Sequence, residues 1–232
     1  MSAYGPCCQV WHLPPIGLDE LMEVAALQTR MDRKYVLPVD TADALLTGLA
    51  PDEARVLEIG PARVFAYESV YFDTPELTSY LLAARRRRRR FKVRTRAYLD
   101  SAECWLEVKT RGPRGSTVKN RLPYAPEQHA SLGPGREFVD TVLAAEAIAD
   151  CRALAFAVTL TSRYRRRTLY LPATGARVTV DTELTWQDPC GNRLRLPGLA
   201  IVETKTGSTA SEFDRMLWSR GHRPIRISKY AT

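Results

Sequence analysis

The residues with the means to do chemistry in this chain are cationic, and they recur at intervals of two. Residues 91–98 read FKVRTRAY; in an extended strand Lys92, Arg94 and Arg96 project to one side and Phe91, Val93, Thr95 and Ala97 to the other. Glu107 and Lys109 stand against Leu106 and Val108, and Lys119 and Arg121 against Val118 and Leu122. Arg177, Thr179, Asp181 and Glu183 oppose Val178, Val180 and Leu184, and Glu203 and Lys205 oppose Val202. Within RYRRR (163–167), Arg163, Arg165 and Arg167 share a face, but a one-residue change of register would present Arg166 instead. Any one such strand is ordinarily a sheet edge or face turned to water. Together, however, the polar positions are enriched in Arg and Lys, with carboxylates fewer and placed singly. Like charges turned toward a common axis repel by on the order of several kcal/mol at intermediate dielectric. A strongly anionic guest offsets that repulsion, and tri- or polyphosphate suits it because each phosphoryl group presents several acceptor oxygens. A carboxylate or two on such a face is suited to a divalent cation bridging the phosphates. Glu107 fits that role as well as it fits an ion pair, whereas Asp181 and Glu183 read as partners that orient arginines.

The run Arg85–Arg90 has no alternation from Arg85 to Arg89 and follows a helix end, so it reads as an exposed connector and not as a wall of the site. The chain has 232 residues, 45% hydrophobic, with a net charge of +8, which points to a folded protein with an anionic partner. The five cysteines, Cys7, Cys8, Cys104, Cys151 and Cys190, form no CxxC pair, which argues against a disulfide framework or a structural zinc site. No signal peptide or membrane-spanning apolar run is evident, so a cytoplasmic protein is expected.

The elements that must position these residues are mostly strands. Strands are expected at Lys34–Val39, Val64–Phe72, Arg89–Tyr98, Cys104–Thr110, Thr117–Tyr124, Ala157–Leu171, Arg177–Leu184, Leu199–Lys205 and Pro224–Tyr230. Helices are expected at Gly17–Gln28 with Leu18, Leu21, Met22 and Ala25 inward, at Asp40–Leu49, from Thr74 as N-cap through Leu82, and at Arg136–Ala149 with Phe138, Val142, Ala145 and Ala149 inward. A further helix follows a capping box at Ser211. The pattern describes one α+β domain over residues 1–232 with a large antiparallel sheet, the first 15 residues forming a flexible segment.

In order along the chain, RMDRKYVL, SVYFDTPEL, FKVRTRAY, WLEVKTR, STVKNRLPY, RYRRRTLY, ARVTVDTEL, AIVETKTG and IRISKYA resemble the vacuolar transporter chaperone (VTC) domain. That domain is the polyphosphate polymerase branch of the CYTH-like triphosphate tunnel metalloenzymes. The resemblance implies an eight-stranded antiparallel β-barrel, a tunnel with flanking helices, and transfer of the γ-phosphoryl group of ATP to a polyphosphate chain with Mn2+ or Mg2+. It implies catalytic roles for Lys34, Arg94, Arg96, Lys109 and Lys229. It implies phosphate binding by Lys119, Arg121 and Arg177 and metal binding by Glu203, with Arg226 at the same tunnel end; the alternation adds Lys92, Arg163, Arg165, Arg167 and Lys205 as phosphate-binding candidates and Glu107 as a second metal candidate. Lys34, Lys229 and Arg226 come mainly from the resemblance and not from the alternation. The wider superfamily opens with Glu-x-Glu-x-Lys; here Met31-Asp32-Arg33-Lys34 keeps one carboxylate, Asp32, as suits the polymerase branch. Expected partners are ATP, triphosphate or polyphosphate, with no specific nucleic acid and with room for a separate membrane partner. The competing readings are a triphosphatase of the same fold and a non-catalytic binder of polyphosphate or nucleic acid.

Overall fold

The computed structural model describes residues 10–24, 31–112, 117–148 and 151–230. Its strands in chain order are β1 (Pro15–Ile16), β2 (Met31–Pro38), β3 (Arg55–Leu57), β4 (Phe65–Asp73), β5 (Phe91–Tyr98), β6 (Glu103–Arg111), β7 (Thr117–Pro123), β8 (Ala157–Leu171), β9 (Ala176–Gln187), β10 (Arg193–Arg195) and β11 (Leu199–Thr206). Helices α1 (Leu18–Val24), α2 (Val39–Thr47), α3 (Thr78–Ala84), α4 (Arg136–Ala145) and α5 (Glu212–Ser219) complete the α+β architecture. The contacts divide the chain into two compact units.

The first unit comprises residues 1–65, 165–184 and 196–226. Here the strand order is β2-β11-β9-β8, with β3 on β8 and β1 parallel to β3. Tyr35, Leu37, Val178, Val180 and Val202 are the apolar set of the alternating strands, and they pack with Leu45 and Leu46 of α2 and Phe213 and Leu217 of α5. Helix α5 starts from the expected capping box: Ser211 Oγ accepts from Asp214 N at 3.1 Å, and Ser211 N donates to Asp214 Oδ2 at 2.9 Å. Asp214 is fully buried, and Tyr35 (2.7 Å) and Thr204 (2.6 Å) also donate to it, which joins the helix start to β2 and β11.

The second unit comprises residues 66–164, 185–195 and 227–232. Its strand order is β8-β4-β5-β6-β7, and the end of β9 carries the β10 hairpin. Val70, Phe72, Phe91, Val93, Leu106 and Val108 face Val139 and Leu143 of α4. Gly135 lets α4 begin close against the sheet; a Cβ there would lie 2.2 Å from Leu106 Cδ2. The β2-β11-β9-β8 and β8-β4-β5-β6-β7 ladders together use eight strands, β1, β3 and β10 being additions. Among the described residues no helix is long and apolar enough to cross a membrane.

Several expected elements shift. The helix expected from Thr74 starts at Thr78, because the Asp73 carboxylate takes the N–H groups of Thr74, Ser79 and Tyr80 and holds the intervening turn non-helical. In α1 only Leu21 is buried, Leu18 and Met22 being exposed; Ala25 and the rest of that expected helix lie outside the described residues. Helix α4 buries Val139 and Leu143 most deeply, one residue round from the expected Phe138–Val142 face, which packs at its side. Ala149 of that face lies outside the described residues. Pro224–Tyr230 is not a strand: Ile225 makes a single bridge to Lys34 and the ladder stops there.

Candidate anion-binding site

In the second unit the sheet has one apolar face and one charged face, as period-two alternation demands. Strand pairing aligns Lys92, Lys109 and Lys119 in one row across β5, β6 and β7, and Arg94, Glu107 and Arg121 in the next. Tyr71 and Ser69 of β4 lie opposite Arg94 and Arg96. The register therefore gathers cations from three strands around a single carboxylate.

That carboxylate is almost wholly buried. Both Nε (2.8 Å) and Nη2 (2.5 Å) of Arg94 donate to Glu107 Oε2, and Lys119 Nζ lies 3.4 Å from Oε1. Burial alone would raise the Glu107 pKa; the positive charges of Arg94, Arg96, Lys109 and Lys119 outweigh it and hold the carboxyl well below the usual range. Burial likewise opposes the charge on Arg94, but Glu107 and the nearby Tyr71 and Tyr164 hold the guanidinium charged. Lys119 is pushed down, first by burial and then by Arg121 and Arg96, with Glu107 acting the other way. Arginines on this face also lie against aromatic rings: Arg96 is 5.7 Å from the Tyr67 centroid and Arg121 4.5 Å from that of Trp105. The Lys229 ammonium sits 4.6 Å from the Tyr164 ring, Lys92 Nζ donates to Ser228 Oγ at 2.8 Å, and Arg163 ion-pairs with Glu68.

The first unit carries a smaller cluster on β2, β9 and β11. Glu203 lies opposite Lys34 on one side and Thr179 on the other. Its Oε1 is 2.9 Å from Lys205 Nζ and 3.6 Å from Lys34 Nζ. Burial raises its pKa, but Lys205, Lys34 and Arg166 together hold it well below the ordinary value. Arg166 makes a two-point contact with the fully buried Asp181, Nε–Oδ1 2.6 Å and Nη2–Oδ2 2.8 Å. Arg177 stands opposite Lys205 in the ladder, and the Thr179 hydroxyl beside them is buried without a hydrogen-bond partner.

The expected site residues thus fall into two groups. Lys92, Arg94, Arg96, Lys109, Lys119 and Arg121 share the face of Glu107 in the second unit, where Lys229 lies over Tyr164 and Arg163 pairs with Glu68 instead, and Lys34, Arg177 and Lys205 gather around Glu203 in the first. Arg167 is turned into the first unit's interior, 3.4 Å from Asp43 of α2. Arg165 and Arg226 are exposed. Arg166 stands in the cluster where the odd-numbered face of RYRRR had been expected; an unbroken run of arginines contains no apolar marker from which to read register. Tyr71, Tyr164 and Tyr67 on the charged face were also missed, since aromatic residues in strands are usually core. Arg85–Arg89 are exposed as expected.

Among the described residues no three His, Cys, Asp or Glu side chains come together. Glu107 has both oxygens facing cations, Oε2 accepting twice from Arg94 and Oε1 lying 3.4 Å from Lys119 Nζ. Glu203 has the closest contacts of both ammoniums on Oε1, so its Oε2 would be the oxygen to offer a divalent cation.

The chain matches the VTC domain over residues 29–232. No curated protein matches it in sequence. A solved structure from Hippeastrum, named as an adenylyl cyclase and described as revealing a dominant triphosphatase activity, is 19% identical with a TM-score of 0.55, over 87% of this chain and 93% of that one. A protein from Bacillus halodurans, named as an adenylate cyclase, is 15% identical with a TM-score of 0.55, over 86% of this chain and 94% of that one. At such identities the likeness establishes the fold, that of the CYTH-like triphosphate tunnel proteins. The match along residues 29–232 goes further: this chain belongs to the VTC domain family.

Proposed function

We propose that the protein is a polyphosphate polymerase-like phosphotransferase that moves the γ-phosphate of ATP onto a polyphosphate chain held by its cationic strand faces. The observation that carries this reading is the row structure of the second unit, where Lys92, Arg94, Arg96, Lys109, Lys119 and Arg121 share one face around the buried carboxylate of Glu107. Such a face has more positive charge than its own carboxylate can neutralise. A linear phosphate guest matches it in charge and in oxygen acceptors.

In this reading Arg94, fixed by Glu107, and Lys109 grip the transferred phosphoryl group, and Arg96, Lys119 and Arg121 hold the flanking phosphates. Lys229, lying over Tyr164, adds charge where negative charge builds up during transfer. In the first unit Lys34, Arg177, Lys205 and Arg166 offer the same kind of grip. Glu203 would supply one oxygen to a divalent cation, Mn2+ or Mg2+, whose chemistry is to neutralise charge on bridged phosphate oxygens. The chain end, itself a phosphate oxyanion, needs no base and attacks in line from a held position. Water in place of the chain end gives triphosphate hydrolysis, the activity attributed to the Hippeastrum protein.

Purified protein incubated with ATP and Mn2+ is expected to yield long chains that run as a ladder on a gel. Free phosphate without chains would replace the reading with a triphosphatase, and neither product would leave a non-catalytic polyanion binder.

A further inference from the structure

We infer that Tyr230 and Asp73 form a clasp that holds Lys229 over the cationic face of the second unit, which makes both of them positioning residues for phosphate binding there. The inference rests on the reading that this face grips phosphates, and it names what keeps one of its ammoniums in place. Residues 226–230 lie in no strand. A segment without ladder hydrogen bonds takes its place from other contacts, and three consecutive residues supply them. Lys92 Nζ donates to Ser228 Oγ at 2.8 Å, Trp186 Nε1 donates to the Lys229 carbonyl at 2.7 Å, and the Tyr230 hydroxyl donates to Asp73 Oδ2. Between the two outer anchors the Lys229 ammonium lies 4.6 Å from the Tyr164 ring centroid.

These contacts fall on one side of the sheet. Tyr71 stands opposite Arg94 in the β4–β5 ladder, and Tyr67 and Asp73 share its face by the period of two. The Tyr230 ring stacks on Tyr71 with centroids 4.8 Å apart and planes 16° from parallel, and Tyr80 meets it edge-on at 6.2 Å. Tyr164, beneath Lys229, stacks on Tyr67 at 5.3 Å. The Asp73 carboxylate is fully buried and makes no ion pair among the described residues, so it depends on hydrogen bonds. Oδ1 accepts from the N–H groups of Thr74 and Ser79 and Oδ2 from that of Tyr80, each at 2.8 Å. Tyr230, 157 residues away in the chain, is the fourth donor. Burial first, and then Asp73, push the pKa of its hydroxyl up, so it keeps its proton well above neutrality. A tyrosine that served packing alone would not need a buried carboxylate at its tip, nor neighbours in the chain that both contact the cationic face.

The test removes one oxygen. Tyr230→Phe keeps the ring on Tyr71 and loses the donation to Asp73; it is compared with Lys229→Ala and with the double variant by calorimetric titration with tripolyphosphate. Tyr230→Phe is expected to weaken binding about 10-fold, as for loss of a hydrogen bond to a charged group. In the Lys229→Ala background it should change affinity by less than about twofold, because the ammonium that the clasp positions is already gone. Labelling of Lys229 by an amine-acylating reagent, read by mass spectrometry, should rise about 10-fold in Tyr230→Phe while that of Lys205 stays at the wild-type rate. Tyr80→Phe, which keeps the edge contact, should change neither readout. Undiminished affinity in Tyr230→Phe, a full 10-fold loss that persists in the Lys229→Ala background, or unchanged labelling of Lys229 overturns the clasp. So does faster labelling of Lys205 together with Lys229, which marks a general loosening of the protein. Failure of the phosphate reading looks different: the wild type then binds no tripolyphosphate, although Lys229 labelling still rises in Tyr230→Phe.

Discussion

Arg94 and Lys109 occupy neighbouring rows of the same face, yet their removal should have different consequences. Arg94 is buried and satisfies Glu107, so Arg94→Ala should abolish turnover and also lower stability by about 3–5 kcal/mol, the cost of stranding a buried charge. Lys109 is half-buried, so Lys109→Ala should lose turnover by about 100-fold, the scale of a lost charge-stabilising donor, with little change in melting temperature. Full activity in both variants would remove this face from the chemistry. Glu203→Gln should cut metal-dependent turnover more than triphosphate binding, because the amide keeps a carbonyl oxygen but loses the charge. Equal turnover in the variant, with weaker binding, would assign Glu203 to positioning its lysines instead. The pH dependence follows from the depressed pKa of Glu107, which remains ionised in the folded protein as the unfolded chain begins to protonate. Its stabilisation is therefore fully present above about pH 4.5 and declines below it, by about 1.4 kcal/mol per pH unit while the folded group remains charged. In denaturant titrations at descending pH, Glu107→Gln should be less stable at neutrality and show a shallower acid slope.

At the scale of elements, each charged side chain is held by packing on the opposite face of its strand. Val93 and Leu106 fix β5 and β6 against α4, and that sets the row in which Arg94 meets Glu107. In the first unit the corresponding anchor is α5, whose Ser211–Asp214 cap ties the helix start to Tyr35 and Thr204. Ser211→Ala removes the hydroxyl that caps Asp214 N and donates to Asp214 Oδ2, leaving the backbone half of the capping box, and should cost about 1–2 kcal/mol, read as a lower denaturation midpoint. The α3 start was misplaced because a Thr-Pro pair resembles an N-cap and first turn, whereas the carboxylate of Asp73, one residue earlier, takes the N–H groups of Thr74, Ser79 and Tyr80 instead. The α5 start was legible because its capping partners are three residues apart in sequence.

For the whole molecule the governing quantity is the net charge of +8, concentrated on strand faces and in an exposed arginine run. Binding of long polyphosphate should weaken steeply as salt rises, by analogy with counterion release from nucleic acids, and more steeply than binding of triphosphate. Fluorescence or calorimetric titrations over a salt series check this; equal slopes for both ligands would mean that they meet the same number of cations. What the sequence by itself determined was the periodicity: where strands run, which residues share a face, and that those faces are cationic, because side-chain alternation is a property of any extended backbone. Tertiary structure alone decided the register that brings Arg94 onto Glu107, the choice of Arg166 over its neighbours, and the meeting of Tyr230 with Asp73. Those pairings depend on which strand lies beside which, and contacts between residues far apart in the chain are set by packing of the two cores.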